Sequence, residues 1–140
     1  MQDAETDAAV AARSLGAPFD AWFARRGWTP HAYQLRLMEA ARGGESVLLI
    51  APTGGGKTLA GFLPSLSELA RPRAGPGAPR RLHTIYVSPL KALAVDIHRN
   101  LIRPVEEMGL PIRVETRTGD TPQAKRQRQR RLPPDMLLTT

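Results

Sequence analysis

The sequence contains no cysteine. That excludes a disulfide framework, a thiolate metal site and a cysteine nucleophile. Histidine is scarce: His31, His83 and His98 show neither an HExxH pattern nor zinc-type spacing, so no transition-metal site is expected. Aromatic residues make up 5% of the chain and are scattered, which does not build a base-stacking platform. No Ser–His–Asp constellation is legible. No apolar run approaches the roughly 20 residues that cross a bilayer. The first ten residues carry Asp3, Glu5 and Asp7 with no apolar stretch behind them, unlike a signal peptide. The expectation is a soluble, intracellular protein with no membrane partner.

What is present suits a single domain. The 140 residues are 41% hydrophobic and 24% charged, enough apolar material for a packed core. The net charge is +7, and seventeen of the twenty basic residues are arginine. Such an excess has two sources: phosphate recognition by the planar guanidinium, or codon preference in a GC-rich genome. Its distribution is more informative. Residues 117–131 hold Arg117, Lys125, Arg126, Arg128, Arg130 and Arg131 against Asp120 alone, a candidate nucleic-acid surface.

Residues 1–16 read as a flexible acidic lead-in, and 17–140 as one domain. Phe19, Trp22 and Phe23 fall at helical spacing in a short helix ended by Gly27. Thr29 is expected to cap a second helix with Pro30 at its first position, running through Gln34, Leu35, Met38 and Ala41. The apolar run SVLLIA, residues 46–51, reads as a strand buried on both faces. A helix from about Lys57 to Ala70 follows, with Pro64 inside it. Residues 71–81, RPRAGPGAPRR, read as an exposed, mobile loop. Strands are expected at 82–88, 112–116 and 135–140. Between them lie a helix at 90–108, interrupted or kinked near Pro104, and a basic helix at 123–132. Strands alternating with helices imply βαβ units, hence an α/β fold with a parallel sheet flanked by helices.

The strongest chemical signal is Ala51-Pro52-Thr53-Gly54-Gly55-Gly56-Lys57-Thr58, between an expected strand and an expected helix. Three glycines let the backbone turn around an anion and aim N–H groups at it. The helix start adds further N–H groups and its positive dipole end. Lys57 brings a full charge to the β- and γ-phosphates, and the Thr58 hydroxyl is a hard oxygen suited to Mg²⁺. Ala51 stands where the strict pattern has glycine.

Three further positions carry weaker signals. The Gln34 amide can pair with adenine N6 and N7, or simply be solvated. Ser88-Pro89-Leu90-Lys91 sits where a strand gives way to a helix, the end of a parallel strand at which ligands bind, although an ordinary turn reads the same way. Thr118-Gly119-Asp120-Thr121 repeats that arrangement. There Thr121 is expected to cap the basic helix with Pro122 at its first position, as a plain turn or as a phosphate contact. The basic helix is either a solvated face or a phosphate-tracking one.

Taken in order, GWTPHAYQ, APTGGGKT, VSPLKALAVD, TRTGDT and LLTT resemble the Q region and motifs I, Ia, Ib and Ic of superfamily 2 DEXH-box helicases. PLKAL and TGDT look most like the large-helicase-related (Lhr) group, ligase-associated DEXH-box DNA helicases in particular. The resemblance covers about residues 17–140. It implies a RecA-like P-loop NTPase fold and an ATP-dependent motor that moves 3′ to 5′ along single-stranded DNA and unwinds duplex in DNA repair. By position it implies that Gln34 reads adenine. Thr53, Gly54, Gly55, Gly56, Lys57 and Thr58 would hold ATP, with Lys57 and Thr58 catalytic and Thr58 on Mg²⁺. Pro89, Leu90, Lys91, Thr118, Gly119, Asp120, Thr121, Thr139 and Thr140 would line the strand-tracking face.

The residues alone do not separate DNA from RNA; the resemblance points to DNA, with a ligase among its repair partners, in a cytoplasmic, nucleoid-associated setting. The DEXH segment and second RecA-like domain of the family pattern are not among these 140 residues. The chain alone is therefore expected to hydrolyse ATP at no significant rate and to carry an incomplete sheet with an exposed strand edge. The competing readings are another phosphate-loop enzyme, such as a kinase or GTPase, and a non-catalytic nucleotide or nucleic-acid binding module.

Overall fold

The computed structural model describes residues 14–140 apart from 53, 55, 74 and 76. The expected acidic lead-in therefore lies almost wholly outside the described residues, as do Thr53 and Gly55 of the glycine-rich turn. The chain divides into two compact units, residues 1–64 and 65–140. Among the described residues no helix is long and apolar enough to cross a membrane.

The first unit holds α1 (Phe19–Arg25), α2 (Ala32–Arg42) and the start of α3 (Lys57–Leu69). Phe19, Trp22 and Phe23 of α1 are buried, as their spacing demands. Trp22 meets Phe23 and Trp28 edge to face at 5.4 and 5.6 Å, and the Arg26 guanidinium lies 5.0 and 4.9 Å from the Trp22 and Trp28 rings. From α2, Gln34, Leu35 and Met38 turn inward.

The start of α2 differs from expectation. His31, not Thr29, is the N-cap, because its extended backbone (ψ 147°) delays the helix to Ala32. The orphan N–H of His31 is taken by Gln34 Oε1 at 2.9 Å, while Gln34 N–H donates to His31 O at 3.0 Å.

The apolar run at 46–51 is not a strand. Leu48 and Ile50 are 84% and 85% exposed, and no described strand pairs with the segment. Branched apolar residues favour extended backbone. A strand buried on both faces also needs hydrogen-bonded neighbours, and a sequence pattern does not provide those.

The second unit is built on a three-stranded parallel sheet of β1 (Thr84–Val87), β2 (Val114–Arg117) and β3 (Met136–Thr139), in the order β1-β3-β2. The expected strands at 82–88, 112–116 and 135–140 are thus present, trimmed or shifted at their ends. Val114, Met136 and Thr84 stand in register, as do Thr116, Leu138 and Tyr86. Helix α4 (Lys91–Glu107) connects β1 to β2, and α5 (Gln123–Arg131) connects β2 to β3. The first crossover passes from β1 beyond β3 to β2, and the second returns to β3. Ala94, Ile97, Leu101 and Val105 of α4 are buried, as are Val114, Met136 and Leu138 of the sheet. Helix α4 is not interrupted at Pro104: Met108 N–H donates to Pro104 O at 3.0 Å, so the hydrogen bonding continues past the ring.

Asp135 fastens the N-terminal edge of this sheet. It is 1% exposed, and its carboxylate accepts from Arg113 N–H at 2.8 Å, Arg80 Nη1 at 3.0 Å and Arg73 Nη2. Its carbonyl oxygen also accepts from the N–H groups of His83 and Thr84. A buried carboxylate survives only when its oxygens are satisfied in this way.

Candidate functional site

In the first unit the glycine-rich turn runs directly into α3. Gly54 and Gly56 adopt φ of +81° and +77°, a left-handed conformation that side-chain-bearing residues rarely take. Lys57 is the first residue of α3, and its Nζ donates to Ala51 O. Thr58, the second residue, is exposed. The first turn of α3 therefore carries a cation and a hydroxyl beside N–H groups that have no partner within the helix.

Gln34 is only 2% exposed. Its Nε2 donates to Gly56 O at 3.3 Å, and Gly56 O also accepts from Ala60 N–H at 3.0 Å. A methyl group on Gly56 would lie 3.0 Å from Gln34 Nε2 and 3.4 Å from the Tyr33 hydroxyl, so the position is tight, and its φ strains any larger residue. The sequence links Gln34 to the loop only through resemblance; the structure joins them by a direct bond. An amide can donate twice and accept twice, so these contacts do not exhaust it. Beside it opens a cavity of about 420 Å³ whose walls include Phe23, Trp28, His31, Gln34, Gly54 and Leu59.

In the second unit the parallel strands place three loops at one sheet edge, beyond their C-terminal ends. After β1 come Ser88, Pro89, Leu90 and Lys91. Ser88 N–H continues the ladder to Thr139 O at 2.9 Å. After β2 come Thr118, Gly119, Asp120 and Thr121, and after the central β3 comes Thr140. Lys91 Nζ lies 2.8 Å from Asp120 Oδ2, and Thr139 Oγ1 donates to Arg117 O at 2.6 Å. All the residues expected on a strand-tracking face thus belong to this edge.

Thr121 does not cap α5. The N-cap is Pro122, whose backbone is extended (ψ 146°), and the helix begins at Gln123. The Thr121 hydroxyl turns back and accepts from Thr118 N–H at 2.9 Å, while Thr121 N–H donates to Thr118 O at 3.2 Å. The hydroxyl closes the turn instead of starting the helix.

By sequence, charge covers most of the circumference of α5, as a solvated or a phosphate-tracking helix. The structure separates the basic residues. Arg126 donates to the carbonyl oxygens of Thr118, Gly119 and Thr121. Arg128 and the buried Gln129 hold Glu115 of β2 at 3.0 and 2.9 Å, with Arg113 as a third donor at 3.0 Å. Burial pushes the Glu115 carboxyl up, but the hydrogen bonds from Gln129 and Arg113 and the charges of Arg128 and Arg113 outweigh it, so its pKa lies below the ordinary value. Arg130 and Arg131 are exposed. In the sequence Arg126 is one of the basic residues of the 117–131 cluster, and only its place one turn into a helix that follows a turn sets it apart.

A glycine turn at a helix start and loops gathered beyond parallel strand ends define a phosphate-loop α/β domain. A family model described as DEAD/DEAH box helicase matches residues 31–140. The Lhr helicase/probable uracil glycosylase of Mycolicibacterium smegmatis is 43% identical over 129 residues, covering 85% of this chain and 8% of that protein. The ATP-dependent helicase Lhr-Core of Methanocaldococcus jannaschii is 38% identical over 136 residues, covering 90% of this chain and 16% of that protein. The solved structure of Mycobacterium smegmatis helicase Lhr bound to ssDNA and AMP-PNP matches with a TM-score of 0.72 and 41% identity, over 89% of this chain and 17% of that one. The chain belongs to the DEAD/DEAH box helicase family, with the fold of part of a RecA-like helicase domain.

Proposed function

We propose that this chain supplies the ATP-binding and first DNA-contacting elements of an ATP-dependent DNA helicase. One observation carries the reading: the loops after β1, β2 and β3 share one sheet edge, with Lys91 and Asp120 in contact there, in a chain that also holds the glycine turn at the start of α3. The similar Lhr structure with ssDNA and AMP-PNP supports both ligands.

The first turn of α3 and Lys57 receive the triphosphate, Lys57 exchanging the Ala51 carbonyl for phosphate oxygens. The exposed Thr58 hydroxyl fits Mg²⁺, a hard cation that takes oxygen ligands; the bound ion neutralises phosphate charge. Adenine enters the cavity beside Gln34. Single-stranded DNA lies along the edge formed by Pro89, Leu90, Lys91, residues 118–121, Thr139 and Thr140, where helix starts and Lys91 meet backbone phosphates. The 3′-to-5′ direction, the repair role with a ligase and the cytoplasmic, nucleoid-associated setting rest on the family resemblance alone.

The test is Lys57→Ala in the intact protein. DNA-stimulated ATP hydrolysis should vanish while ssDNA affinity stays within about threefold, because Lys57 serves the triphosphate and not the strand. Hydrolysis that survives the substitution contradicts the reading.

A further inference from the structure

Arg126 lies in the first turn of α5, one turn after Pro122. Long helical side chains lean toward the helix N-terminus, so an arginine there reaches back over the preceding turn. Its Nε donates to Thr121 O at 2.9 Å, and its Nη2 donates to Thr118 O at 2.9 Å and Gly119 O at 2.7 Å. Three carbonyls of one four-residue turn thus converge on one cation.

In a trans peptide the N–H points opposite to the C=O. Gathering the Thr118 and Gly119 carbonyls on the Arg126 side therefore aims the N–H groups of Gly119 and Asp120 the other way. The N–H groups of Thr118 and Thr121 close the turn internally, and Pro122 has none. The outward pair is next to Lys91: a Cβ built on Gly119 would lie 3.7 Å from both Cε and Nζ of that lysine. The guanidinium also offsets the partial negative charge of three carbonyl oxygens that would repel an anion.

We propose that Arg126 is a positioning residue of the nucleic-acid edge. It sets the amides of Gly119 and Asp120, together with Lys91, to receive one backbone phosphate without touching that phosphate itself. The proposal rests on the DNA-contacting reading of residues 118–121. It needs a planar fork, which lysine does not offer.

The test titrates the intact protein with oligothymidylate across a salt series, and with a fluorescent ATP analogue on the same samples, for wild type, Arg126→Gln, Arg126→Lys and Lys91→Ala. Both Arg126 variants should bind ssDNA about tenfold more weakly, the lost charge-assisted bonds loosening the turn. Their salt slopes should match wild type, whereas Lys91→Ala should flatten the slope by about 0.7, the loss of one phosphate contact. Nucleotide affinity should not change.

A flattened slope in Arg126→Gln with affinity restored in Arg126→Lys makes Arg126 a direct phosphate contact and overturns the proposal. Unchanged ssDNA affinity in both variants overturns it too, as does a parallel loss of nucleotide binding, which marks a general folding role. If Lys91→Ala alters neither affinity nor slope, the edge is not the DNA surface; the parent reading then fails, and the proposal with it.

Discussion

Gln34 and Gly56 are joined by a 3.3 Å hydrogen bond from side-chain Nε2 to backbone oxygen, and that oxygen also accepts the first helical bond of α3 from Ala60. The residue that stands at the start of α2 thereby holds the residue that opens α3. Its other amide atom is fixed by His31 N–H at 2.9 Å, so the geometry of the contact is set from both ends.

Gln34→Ala should weaken ATP-analogue binding about five- to tenfold, the effect of one buried hydrogen bond and a loosened loop. Gln34→Glu should be worse. A carboxylate still accepts from His31, but it cannot donate to Gly56 and places negative charge beside the triphosphate. Equilibrium titration with a fluorescent ATP analogue measures both. Equal affinity for all three proteins contradicts a positioning role for the bond.

Asp120 holds Lys91 at 2.8 Å, with both side chains mostly exposed. A phosphate must compete with this carboxylate for the ammonium. Asp120→Asn should therefore tighten ssDNA binding about threefold at low salt, with the gain fading as salt rises, since exposed charges are readily screened. Fluorescence anisotropy at two salt concentrations reads this. Weaker binding in the variant would mean that the carboxylate itself supports the strand.

Glu115 predicts an acid limb. Its pKa is lowered in the folded chain from the ordinary 4.5, so its contribution to stability is complete above that value and is lost as pH falls through the lower folded value. Glu115→Gln removes this dependence. The variant should lose less stability than wild type between about pH 5 and pH 3, read from denaturant midpoints. Parallel acid limbs contradict it.

Much of the fold is written in local patterns. Apolar spacing in α1, and strands ending just before PLK, just before TGDT and within the final threonines, could be read along the chain because each depends on neighbours a few residues away. What the pattern missed depends on partners distant in sequence. SVLLIA has the composition of a buried strand, yet composition does not supply a neighbouring ladder. Asp135 follows two prolines like any loop acid, and only folding brings Arg73, Arg80 and Arg113 to it. Arg126 looks like one more charge on a basic helix until the turn before it is placed. The displaced caps at His31 and Pro122 have a smaller cause: each follows from one extended backbone angle that moves a helix start.

A helicase built on the proposed sites would bind nucleotide at the start of α3 and DNA along the sheet edge, and its movement requires that the two be coupled. The most direct measurement is ssDNA affinity of the intact protein with and without a non-hydrolysable ATP analogue, repeated with Lys57→Ala. The expected result is a shift of about fivefold or more in wild type, a coupling of roughly 1 kcal/mol, and none in the variant. The same ssDNA affinity with and without nucleotide in wild type would contradict it and favour a binding module without a motor.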